Sequence, residues 1–167
     1  MAELTTQERL QPSLLDRLTD DEPGKRDESR EKRVISASRL RECVTRDMSW
    51  LLNCVNLGND KELADYPEVA RSVLNFGIPD LTGMALSGMD ASVLQRQIRD
   101  AIVAFEPRLT ASTLRVTVNA NTGRMDHQSL MFNIESEMWA QPIPLNLYLK
   151  TEVDLETGAF HVTEGFG

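Results

Sequence analysis

The hydrophobic spacing of this chain changes period at a single proline, Pro107, and that change divides what the chain can fold into. Before it, Leu94, Ile98, Ala101, Ile102 and Phe105 recur on one face of a helical repeat. After it, Leu114, Val116 and Val118 alternate with Arg115, Thr117 and Asn119, the period of a strand with one buried face. The proline ring fixes φ, removes a backbone donor and drives Glu106 toward an extended conformation, so the helix must stop there. Helices first and strands afterwards give an α+β fold, with N-terminal helices packed on one face of a small C-terminal antiparallel sheet.

The remaining segments fill in this outline. Residues 36–57 predict a first long helix, with Leu40, Val44, Met48, Leu51 and Val55 as its apolar stripe and Gly58 as its stop. On this reading Arg39, Arg41, Arg46 and Asp47 sit mostly off the stripe, on a solvated face. Pro67 to Phe76 predicts a short second helix, residues 77–89 an irregular stretch, and Asp90 the cap of a third helix ending at Phe105. In the second half, Asn121-Thr-Gly123 signals a turn. Leu130, Phe132 and Ile134 alternate with Met131, Asn133 and Glu135, and Leu145, Leu147 and Leu149 with Asn146, Tyr148 and Lys150, with Pro142 and Pro144 between the two runs. Asp154 to Gly158 reads as a hairpin loop, closed by Phe160 and Val162. The resulting meander is too small to close into a barrel, so it must have edges; residues 145–153 and 159–163 are the candidate edges.

The chain divides at about residue 35. From Asp20 to Arg33 eleven residues are charged, of both signs, with Pro23 and Gly24 as breakers. Such a stretch buries too little apolar surface to offset its ordering entropy. Residues 1–35 are therefore expected to be a flexible N-terminal segment, and 36–167 one α+β domain. Within the segment lies Leu10-Gln-Pro-Ser-Leu-Leu-Asp-Arg-Leu18, where Ser13 can cap a short helix with Asp16 as the return partner of a capping box. Leu10, Leu14 and Leu18 then share one face. So short a helix is marginal alone in water and needs a groove, on its own domain or on a partner.

Charge and composition exclude several functions. The net charge of −8 repels phosphate backbones and anionic lipid, so no nucleic-acid partner and no membrane insertion are expected. No apolar run approaches the roughly 20 residues of a bilayer span, nor does the start hold a signal-peptide core. A cytoplasmic location follows. Cys43 and Cys54, eleven positions apart on one expected helix, would be about 16 Å apart, too far for a disulfide; both read as buried, reduced thiols.

The usual catalytic patterns are missing. There is no Cys-x-x-Cys, His-Glu-x-x-His, Walker loop or Gly-x-Ser-x-Gly, and the spacing of His127 and His161 favours no metal. No catalytic residue, metal or cofactor is expected. A muramidase of the phage type would need a glutamate nine positions before an aspartate or cysteine, which no glutamate here has. One constellation at the helix-to-sheet junction remains, Phe105-Glu106-Pro107-Arg108-Leu109. On extended backbone Glu106 and Arg108 project to the same side. They can pair with each other, or each can meet a complementary charge on a partner, with the arginine offering a bidentate fork.

These residues resemble a known family. Phe105 to Leu109 resembles the Glu-Pro-Arg signature of the TssE proteins of type VI secretion baseplates, and of the related lysozyme-related wedge protein of phage tail baseplates. Leu10 to Leu18 resembles that family's N-terminal leucine-rich segment, Asp47 to Asn53 the end of its first long helix, and Ser72 to Leu81 the loop that follows. The resemblance implies a non-enzymatic structural subunit of the baseplate wedge. It would be cytoplasmic, docked at the membrane-anchored secretion apparatus, bind TssF and TssG, and help nucleate the contractile sheath. It makes Glu106, Pro107 and Arg108 a partner contact, with Leu10, Leu14 and Leu18 as a second. The alternatives are a peptidoglycan hydrolase and a generic cytosolic adaptor.

Overall fold

The computed structural model describes residues 13–19, 23–24, 36–58, 63, 65–82, 90–120, 129–139 and 144–165. Leu10, most of the charged stretch, the turn at Asn121–Gly123, His127 and Pro142 lie outside them. Among the described residues, helical pieces precede four strands. Helix α1 is Leu14–Leu18, α2 Ala37–Leu52, α3 Pro67–Ala70 and α4 Ala91–Phe105, with a 3-10 turn at Val73–Asn75 between α3 and α4.

The two long helices start where the sequence predicts. The Ser36 hydroxyl accepts from the Arg39 amide at 3.1 Å and opens α2. The Asp90 carboxylate accepts from the Ser92 amide at 2.8 Å and opens α4; each such cap stabilises its helix by about 1 kcal/mol. Their stripes are buried, Leu40, Val44, Met48 and Leu51 on α2 and Leu94, Ile98, Ala101 and Ile102 on α4.

The first long helix is shorter than predicted. It ends at Leu52, not at residue 57, because the next residues are claimed by a tertiary contact. Val55 and Ile78 form a parallel bridge, with Ile78 donating to the Cys54 carbonyl and Asn56 donating to the Ile78 carbonyl, each at 2.9 Å. Gly77 permits this approach: its φ is +122° and a Cβ there would lie 2.3 Å from the Cys54 oxygen. Two further expectations fall with the helix end. The Val55 side chain is exposed rather than on the stripe, and Cys54 is exposed beyond the helix while Cys43 is buried within it. Pro67 to Phe76 is likewise two pieces instead of one helix. They divide at Ser72, whose hydroxyl donates to the Val69 carbonyl and accepts from the Leu74 amide, an alternative to continuing the helical ladder.

Strands β1 (Arg115–Ala120), β2 (Ser129–Met138), β3 (Leu145–Asp154) and β4 (Phe160–Glu164) form one antiparallel sheet in the order β1-β2-β3-β4. The strands stack in chain order, so β3 is interior. This corrects the expectation that 145–153 could be an edge; the edges are β1 and β4. The inner face carries Val116, Leu130, Phe132, Ile134, Met138, Leu147, Leu149, Val153 and Phe160, all buried in one core with the α2 and α4 stripes. Each such aliphatic or aromatic side chain contributes roughly 1.5–3 kcal/mol by leaving water. The β3–β4 loop is a tight turn. The Asp154 carboxylate accepts from the Glu156 amide, the Gly158 amide donates to the Asp154 carbonyl at 2.7 Å, and Gly158 takes φ +72°.

Candidate functional site

The helix-to-sheet corner is fixed from both sides. Glu106 ends α4 by donating its amide to the Ile102 carbonyl at 2.8 Å. Beyond Pro107, Leu109 bridges Met138, with Thr110 donating to the Glu137 carbonyl and Trp139 to the Arg108 carbonyl, each at 2.8 Å. The corner is thereby stitched to the end of β2.

Glu106 is only 4% exposed. Burying a carboxylate is costly unless it is paired, and Arg108 supplies the pairing. Arg108 Nε donates to Glu106 Oε1 at 2.7 Å and Nη2 to Oε2 at 2.5 Å, a bidentate fork that realises the mutual pairing, one of the two arrangements the sequence left open. The Arg108 backbone amide also donates to Oε1, at 3.1 Å. In the free chain, then, these two residues pair with each other.

They are not alone. Arg108 Nη2 also meets Asp47 Oδ2 at 2.5 Å, across the body on α2. The other Asp47 oxygen accepts from Arg46, which reaches on to Asp16 of α1 at 2.8 Å. A continuous chain of ion pairs runs Glu106–Arg108–Asp47–Arg46–Asp16. It holds three carboxylates and two guanidiniums, one excess negative charge. Burial of Arg108 disfavours its charged form, but Glu106 and then Asp47 outweigh this and push its pKa up. Burial likewise opposes ionisation of Asp16, yet hydrogen bonds from Ser13, Arg46 and Cys43 prevail and lower its pKa to about 2. Burial, and then the bond to Asp16, raise the Cys43 thiol. Arg108 Nη1 is buried without a hydrogen-bond partner among the described residues.

This chain of charges seats α1. Ser13 caps α1 as expected, accepting from the Asp16 amide; the return contact joins the Ser13 hydroxyl to the Asp16 carboxylate at 2.6 Å. Leu14 and Leu18 are 71% and 74% exposed. α1 therefore lies against its own domain by its aspartate, with its leucines turned to solvent. Leu15 and Ser13 line a groove of about 490 Å³ together with Met48, Phe105 and the Glu106–Pro107–Arg108 corner. Trp50 and Trp139, half or more exposed, line the same groove, and the Arg46 guanidinium sits 4.9 Å from the Trp50 ring centroid, within cation–π range.

The structure thus brings α1 and the corner to one face. Sequence reasoning found Glu106, Arg108 and the leucines but assigned Arg46 and Asp47 to a solvated surface. The only local signal was their adjacency at the edge of a stripe. No group of three metal-ligating side chains occurs among the described residues, and no helix among them is long and apolar enough to cross a membrane.

A family model described as baseplate wedge protein gp25 matches residues 38–143, a span that includes α2, α4, the corner, β1 and β2 but neither α1 nor β3 and β4. No curated protein and no solved structure matches the chain.

Proposed function

This chain belongs to the baseplate wedge protein gp25 family, and from that membership we propose that it is a TssE-type subunit of a type VI secretion baseplate. The family is one of structural proteins of phage-tail-like baseplates, which act by contact with other baseplate proteins. The finer reading is that this subunit docks on TssF and TssG in the cytoplasm, at the membrane-anchored apparatus, and turns over no substrate. Its contacts are the leucine face led by Leu14 and Leu18, with Leu10 ahead of it, and the adjoining Glu106, Pro107 and Arg108. The edge of β4 then receives an extended segment of a sheath subunit and starts the sheath.

One observation carries the reading. A short helix held by its polar side chain, with large apolar side chains outward beside a grooved, aromatic-flanked corner, is arranged for a second protein. Leucines that served only the monomer would face inward.

The test is co-purification. With Leu14→Asp and Leu18→Asp combined, recovery of TssF and TssG should fall at least about tenfold, as removal of a buried interfacial anchor requires. The melting temperature should not move. Recovery equal to wild type would end the role of this face. A second arm addresses the sheath: Val162→Pro should prevent sheath assembly in cells while TssF and TssG still co-purify. Normal sheaths with this variant would remove the edge reading.

A further inference from the structure

The β4 edge is sealed at one end. In the β3–β4 ladder the narrow hydrogen-bonded pairs include Asp154 with Ala159 and Tyr148 with Gly165. The register pairs Phe160 with Val153, Val162 with Thr151 and Glu164 with Leu149. Antiparallel pairing alternates hydrogen-bonded and non-bonded positions, so the backbone N–H and C=O of Phe160, Val162 and Glu164 point away from β3, toward the open edge. At Phe160 both are occupied. The Asn53 side-chain amide donates to the Phe160 carbonyl and its oxygen accepts from the Phe160 amide, each at 3.0 Å. The carboxamide of Asn53, at the C-cap of α2, stands where the backbone of a next strand would stand and reproduces its donor and acceptor.

We infer that Asn53 is an end stop that sets where along β4 an added strand can begin to pair. An incoming extended segment finds outward groups at Val162 and Glu164 and none at Phe160. It must therefore pair from Val162 onward, and any register that runs past Phe160 is rejected. The occupant is an extended backbone, because an amide and a carbonyl alternating along an open edge match no other chemistry as well. The stop confines the added strand to the Val162–Glu164 end of the edge and keeps it clear of the end of α2, where Asn53 stands. This inference rests on the proposed strand addition at β4.

Amide hydrogen exchange, followed residue by residue in the full chain with and without purified sheath subunits, tests both. In the free wild type the Phe160 amide should be protected and those of Val162 and Glu164 should exchange rapidly. On adding sheath subunits, protection should rise about tenfold or more at Val162 and Glu164, the worth of one added hydrogen bond each, while the Asn53 carboxamide protons are unchanged. In Asn53→Ala, Phe160 should lose protection in the free chain and regain it in the complex, as the added strand runs on. If Val162 and Glu164 gain protection but Phe160 in Asn53→Ala stays open, the stop is refuted and the edge stands. Loss of the Asn53 carboxamide signals in the wild-type complex refutes it equally, without any variant. No gain anywhere on β4 removes strand addition and this inference together.

Discussion

Arg108 answers two carboxylates at once, and one of them is almost fully buried. Its removal leaves Glu106 in the interior with only the backbone amide of residue 108 as a partner, which costs about 3–5 kcal/mol. Arg108→Gln should lower stability by that amount in chemical denaturation. Arg108→Lys should fall between, since an ammonium keeps the charge but not the fork. A glutamine variant as stable as wild type would mean the fork is absent in solution. Asp16 sets a second residue-level expectation. Its pKa in the folded chain, about 2, lies below its ordinary value of 3.8. The contribution of its pairing is therefore complete above that ordinary value and is lost as pH falls toward 2. Trp50 lies under Arg46, so its fluorescence should change between about pH 4 and 2, and Asp16→Asn should abolish that transition.

At the scale of elements, the exit from α2 depends on Gly77. An alanine there would place its Cβ against the Cys54 carbonyl at a φ that side chains rarely adopt. Gly77→Ala should cost about 1–3 kcal/mol and break the Val55–Ile78 bridge, visible as faster exchange of the Ile78 and Asn56 amides. An unchanged stability would show that the loop can re-route. The same place explains where sequence reading of elements stopped short. Val55 continues the α2 stripe at the right spacing, and nothing between Asn53 and Gly58 forbids a helix locally. A contact with residue 78 decides the end, and one-dimensional spacing does not contain it. By contrast α4 and the strands were legible, because Asp90, Pro107 and the alternation around Phe132 and Leu147 each act within a few residues. The order of strands followed from short connections; an interior position for β3 needed only that rule applied to the end.

For the molecule as a whole, the face proposed for partner contact was legible in its parts and not in its assembly. Glu106 and Arg108 are two positions apart, so their projection to one side could be read directly, while the choice between pairing with each other and meeting a partner could not. Asp47 lies 61 positions from Arg108 and Asp16 lies 30 from Arg46, so only the fold joins them into one line of charge from α1 to the corner. That line makes the N-terminal helix and the corner neighbours on a body whose family is a baseplate one.

The brevity of β4 has a consequence for handling the protein. Open sheet margins are where dissolved proteins clump into fibrils, and short strands bearing charge are a natural defence. Here the margin is five residues long, with Asn53 filling its first outward position and Glu164 at its far end. Two copies of this chain meeting at their β4 margins share only the outward groups of Val162 and Glu164, so self-association through β4 should be weak, and a sheath strand seated there draws the rest of its hold from contacts beyond the margin.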